Sequence, residues 1–160
     1  MKCILFVFII LFTNGCVGKY QEPIVQEYAT ISIPHTNLGI GWFATSYYFM
    51  MSELDENGCV NSWEKIDEKN KKQDYEIVKI PAGKDFAIRS YMGIGSEQCI
   101  IDSYFKPEAN KHYVISSKIS SGKQCYVALD KKEGNQTIIV ELKKLHYIAE
   151  NIFSGKYCKK

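Results

Sequence analysis

The sequence has no apolar run long enough to cross a bilayer. A spanning helix needs about 20 apolar residues, and the longest unbroken run, Ile4 to Phe12, reaches roughly half that. The short motifs of common enzyme chemistry are also missing. There is no G-x-S-x-G elbow, no H-E-x-x-H helix and no P-loop. Histidine is scarce: the three in the chain, His35, His112 and His146, lie far apart, with no partner at metal-ligand spacing. No Cys-x-x-Cys pair exists, so the usual zinc arrangements are excluded. Asp55-Glu56-Asn57 has the composition of calcium ligands without the spacing of a calcium loop. Lysines are not gathered into a basic run interleaved with stacking aromatics, so nucleic acid is not an expected partner. No repeat of fixed period appears and no linker divides the chain. These absences leave no expected catalytic residue, metal or cofactor.

What is present begins at the N-terminus. Lys2 supplies a positive start, Ile4 to Phe12 an apolar h-region, and Thr13-Asn14-Gly15 leads into Cys16. This is the layout of a secretory signal. Gly15-Cys16 at the end of the run resembles the cleavage box of bacterial lipoproteins, in which the cysteine becomes the first residue and carries lipid. The resemblance implies a signal over residues 1–15, a lipidated Cys16 and a tether over 16–28. It also implies a bilayer as a partner. Two acyl chains make such anchoring stable, since each buried methylene contributes about 0.8 kcal/mol. The alternative is an ordinary signal peptide cleaved near Gly15 or Gly18.

Residues beyond the signal are enough for one domain with a real core, expected over 29–160. The 46% apolar content argues against disorder, and 13% aromatics, rich in Tyr and Phe, with abundant Ile favour strands. Net charge is +2. Cys3 lies in the signal and Cys16 is assigned to lipid. Cys59, Cys99, Cys125 and Cys158 remain, an even number suited to two disulfides in an oxidising compartment.

Strands are expected at Ala29 to Pro34 and over the aromatic stretch Gly41 to Leu54, with a buried helix as the alternative for the latter. Asp55 to Gly58 is expected to make a tight hairpin turn with positive φ at both central positions, and Cys59 to Ile66 to return. Asp67 to Asp74 reads as a solvated loop. Further strands are expected at Tyr75–Ile80, Asp85–Tyr91, Gln98–Phe105, His112–Ile119, Gln124–Asp130 and Gln136–Leu145. Turns at Pro81–Lys84, Pro107–Lys111, Ser120–Lys123 and Glu133–Asn135 separate them. One short helix is expected in the tail before Cys158. The pattern predicts an all-β fold, a small antiparallel β-sandwich, with a closed lipocalin-like barrel as the alternative.

The stretch Ile80-Pro81-Ala82-Gly83-Lys84, then a strand, Cys99, Phe105-Lys106-Pro107-Glu108, Tyr113 and Cys125 is similar to small bacterial envelope lipoproteins with a β-sandwich domain. That resemblance implies the fold and an envelope location, and it supplies no active site. Strand order predicts Cys99–Cys125. The two cysteines sit near the starts of strands separated by one intervening strand, His112 to Ile119, so they lie at the same end. Cys59–Cys158 follows by elimination and ties down the tail. Asn135-Gln136-Thr137 is a glycosylation sequon in a turn, meaningful only in a eukaryotic secretory route. Trp42, Phe43, Tyr47 and Tyr48 are the candidate ligand or partner surface, because consecutive aromatics on a strand cannot all face one core. The expected function is that of a non-enzymatic envelope lipoprotein, exported and membrane-anchored, binding another envelope or host protein. The alternative is a secreted carrier of a small apolar ligand.

Overall fold

The computed structural model describes residues 18–35, 45–66, 73–94, 97–120, 124–150 and 154–160. Among them every regular element is a strand. In chain order these are β1 (Tyr28–Pro34), β2 (Thr45–Glu53), β3 (Glu64–Lys65), β4 (Tyr75–Pro81), β5 (Phe86–Ile94), β6 (Glu97–Phe105), β7 (His112–Ser120), β8 (Gln124–Glu133), β9 (Gln136–Val140), β10 (Lys143–Lys144), β11 (His146–Ala149) and β12 (Gly155–Cys158).

Two five-stranded sheets form, in the orders β4-β1-β7-β8-β9 and β10-β6-β5-β2-β3, and β11 pairs with β12 as a separate hairpin. Neighbours run antiparallel except β1 and β7, which are parallel through Thr30–His112 to Ser32–Val114. Both sheets are open. The chain passes from the first sheet to the second after β1, after β4 and again after β9, instead of pairing across the gap. The fold is therefore a sandwich, and the closed lipocalin-like barrel is not formed.

Period-two alternation explains the core. Ile31, Ile33, Val78, Ile80, Tyr113, Ile115 and Leu129 face inward from the first sheet, and Phe49, Met51, Phe86, Ile88 and Phe105 from the second. Each such apolar side chain stabilises the fold by about 1.5–3 kcal/mol. Tyr113 is 1% exposed, meets Phe105 edge-on at 5.1 Å, and its hydroxyl accepts the Glu108 N–H at 2.9 Å. Tyr113→Phe leaves that N–H in the Pro107–Lys111 turn without its acceptor. It is expected to lower the unfolding free energy by about 1 kcal/mol, read as a lower urea midpoint at unchanged slope. An unchanged midpoint would show that the hydroxyl is dispensable.

The folded unit starts ahead of Ala29. Lys19 bridges Lys65, and the Tyr20 N–H donates to the Lys65 carbonyl at 2.9 Å. The Tyr20 ring packs edge-on to Phe86 at 6.0 Å and its hydroxyl donates to the Lys79 carbonyl at 2.9 Å. Burial, reinforced by Glu53, Glu22 and Glu64, pushes this phenol far above its ordinary range.

Four local expectations are corrected. The turn after β2 places positive φ on Gly58 alone (75°). The Asp55 carboxylate accepts the N–H groups of Asn57 (2.9 Å) and Cys59 (2.8 Å), which closes a three-residue loop in place of the two-residue turn. The return from Cys59 to Ile66 holds only the two-residue β3: Val60 bridges back to Leu54 as an isolated pair, and Cys59 and Val60 also bond the C-terminal segment on their other side. The strand expected over Gln136–Leu145 ends at Val140. Leu142 packs against the main core and Leu145 in a second cluster on the far face of the second sheet, so the chain must cross between them. The tail carries the β11–β12 hairpin in place of a helix, with Tyr147 paired across to Tyr157.

Candidate functional site

Alternation along β5 and β6 decides what reaches the outer face of the second sheet. Arg89, the one arginine of the chain, faces outward from β5 with Asp102 opposite it on β6. Its Nε donates to Asp102 Oδ1 at 2.6 Å and its Nη2 to Oδ2 at 3.0 Å, a bidentate pair. The guanidinium also lies 4.5 Å from the Trp63 ring centre and 4.6 Å from that of Tyr157, where ring quadrupoles favour a cation. Burial disfavours the Arg89 charge. The hydrogen bond and charge of Asp102, with help from Tyr157, outweigh it and hold the guanidinium above its ordinary pKa.

Around this pair sits the second apolar cluster. Val60, Ala87 and Leu145 are buried in it, and Leu54, Trp63, Tyr104 and Tyr157 pack against them. Covalent and polar ties hold the cluster on the sheet. Cys59 is bonded to Cys158, the Val60 N–H donates to the Tyr157 carbonyl (2.8 Å), and the Lys159 N–H donates to the Gly58 carbonyl (3.0 Å). Lys159 Nζ reaches Asp85 at 2.7 Å.

The next cross-strand row on the same face is Tyr48, Tyr91 and Ile100. Tyr48 and Tyr91 stack at 4.4 Å between centroids, with Lys65 Nζ 5.7 Å from the Tyr48 ring centre. Burial raises the Tyr48 pKa, Tyr91 adds to the rise and Arg89 opposes it. Ile100 ends the row at 52% exposure.

Ile100 is also the lip of a groove of about 730 Å³, within the span of about 300–1,000 Å³ usual for ligand sites. Its floor is β6 from Ile100 to Ser103. One wall is Cys125, Tyr126 and Val127 of β8, and the other is Leu142, Lys144, His146, Tyr147 and Tyr157. The groove exists because β10 pairs only with Ser103 and Tyr104, after which the chain leaves the ladder. Tyr126 and Tyr147 are 52% and 57% exposed, so its rim is apolar and open.

The structure brings the four cysteines together in the expected pairs, Cys59–Cys158 and Cys99–Cys125. The second bridge joins β6 of one sheet to β8 of the other, so it staples the sheets beside the groove. Of the aromatic candidates, Tyr48 faces outward and Tyr47 lies on the opposite face of β2. Trp42, Phe43 and Cys16 lie outside the described residues, as does most of the Ser120–Lys123 turn.

The groove residues themselves, and the Arg89 cluster, were missed by sequence reasoning. Adjacent Ile100 and Ile101 were the available signal, since one of two neighbours on a strand must face away from the core. A lone arginine among many lysines was the other.

His112 shares hydrogen bonds with Thr30 (2.8 Å) and Ser32 (3.2 Å), and His35 lies 3.5 Å from Glu76. Among the described residues, no three His, Cys, Asp or Glu side chains converge on a metal-sized site. At the groove both Asp102 oxygens are taken by Arg89 and Cys125 is bonded to Cys99. The arrangement offers shape, apolar surface and the Lys144 charge. Comparisons with protein-family models, curated protein sequences and solved structures each find no significant match.

Proposed function

We propose that this chain is a non-enzymatic envelope lipoprotein, a β-sandwich binding module held to a bilayer by lipid on Cys16. The observation that carries the reading is Gly15-Cys16 at the end of the Ile4–Phe12 run. Two disulfides are compatible with an exported protein in an oxidising compartment and support it. The binding role draws support from the half-exposed apolar rim of the groove, where Ile100, Tyr126 and Tyr147 meet. A partner from the same envelope or from a host suits such a surface. The interior between the sheets is filled by Phe49, Met51 and their neighbours, which favours a module over a carrier that encloses its ligand.

Labelled palmitate is expected to enter the wild type, and Cys16→Ser is expected to lose the label and move from the membrane to the soluble fraction. Equal labelling of both proteins, or a mature N-terminus mapped beyond Cys16, would sink the reading.

A further inference from the structure

The groove ends in an unfinished β-ladder. The Leu145 N–H donates to the Asp102 carbonyl at 3.0 Å, so Asp102 turns its backbone groups toward the β10 side of β6. Backbone direction alternates along an antiparallel strand. Ile100, two residues earlier, therefore points its N–H and carbonyl to the same side. Among the described residues no strand pairs with β6 there, since β10 covers only Ser103 and Tyr104. Unpaired edge groups beside an apolar groove are a template for an added strand.

Charge at the groove is one-sided. The Asp102 carboxylate is neutralised by Arg89, whereas Lys144 lines the groove, is exposed and has no acidic partner among the described residues. Exposed Lys143 next to it is likewise without one.

We propose that an extended segment of a partner protein, alternating apolar and acidic residues, adds to the free edge of β6. It continues the ladder that β10 begins. Its apolar side chains lie against Ile101, Val127 and Tyr147, and a carboxylate meets Lys144. This rests on the binding-module reading and names the kind of partner that module takes.

The test pans a displayed library of random peptides against the purified full chain and then synthesises the most enriched peptide. Peptides alternating apolar residues with Asp or Glu are expected. Lys144→Glu is expected to weaken the synthetic peptide by roughly tenfold, equivalent to about 1.4 kcal/mol. Ile100→Pro removes an N–H that faces away from β5, a change edge strands tolerate, and it is expected to abolish binding while both disulfides still form. N-methylation of alternate peptide amides is expected to abolish it as well.

Failure to enrich any peptide overturns the inference, and so does a peptide that binds wild type and Lys144→Glu equally or tolerates N-methylation. If a photo-crosslinker at Tyr147 still captures one partner in intact cells while no peptide is retained, strand addition fails and the module reading stands.

Discussion

Replacing Cys59 and Cys158 together with serine is expected to cost the fold about 4.7 kcal/mol of stability on chain-entropy grounds, because the bridge spans 99 residues of sequence. Losing Cys99–Cys125, which spans 26 residues, is expected to cost about 3.5 kcal/mol by the same relation. The two losses differ in kind. Cys99–Cys125 joins two long strands already packed through the core, so its removal lowers global stability and leaves local structure in place. Cys59–Cys158 holds down a four-residue hairpin strand, β12, whose other ties are hydrogen bonds to Gly58 and Val60, the Lys159–Asp85 pair and the packing of one ring, Tyr157, on Trp63 and Arg89. Without it, β11 and β12 are expected to open locally and to uncover Ala87, Val60 and Leu145, all now buried. Native-state hydrogen exchange reads this directly: amides of Ile148 and Lys156, a hydrogen-bonded pair of the hairpin, lose protection while those of β5 and β7 keep theirs. Uniform loss across the molecule, or none in the hairpin, would show that the clasp is not an independent unit.

The sandwich was legible because local signals agreed with one another. Val78 and Ile80 alternate with Ile77 and Lys79, and the turns after β4, β6 and β8 each carry a residue with positive φ, Gly83, Asn110 and Gly134. Disulfide pairing was legible from strand order, although the sheet assignment behind it was not. Cys99 and Cys125 are joined across the two facing sheets, since β7 lies beside β8 in the first sheet and not between β8 and β6. Signals failed where long-range partners decide local structure. Ile138, Val140 and Leu142 fit one strand by pattern, yet the strand ends at Val140 and the chain goes on to set Leu142 against the main core and Leu145 in the second cluster. The β11–β12 hairpin depends on residues 58–60, some ninety positions away in sequence, and no window of the tail contains that information. The groove was illegible for a related reason. It is made by the departure of a strand, and an unfilled ladder position leaves no residue pattern of its own.

Asp102→Ala is expected to be among the most damaging single substitutions in the molecule. The Asp102 side chain is 9% exposed and that of Arg89 18%, so the pair is largely removed from water. Deleting the carboxylate strands the guanidinium between Trp63 and Tyr157 with both of its carboxylate hydrogen bonds lost. Breaking one side of a buried pair typically costs about 3–5 kcal/mol. Some solvent reaches Arg89, and the aromatic rings retain part of its stabilisation, so a loss of about 3 kcal/mol is expected. The double variant Arg89→Met/Asp102→Leu should behave differently. It removes both charges, keeps apolar volume against the two rings, and is expected to lie within about 1 kcal/mol of wild type. The pair's contribution is then chiefly register: it fixes β5 against β6 at Arg89–Asp102, which sets Ile100 at the groove and Tyr91 beside Tyr48. Urea unfolding of Arg89→Met, Asp102→Leu and their double variant completes a cycle with wild type. A coupling energy near zero, with Asp102→Ala as stable as wild type, would show that the ion pair is a bystander on the sheet surface. A strong coupling with a stable double variant would show that the charges select the strand register without supplying the stability of the sandwich.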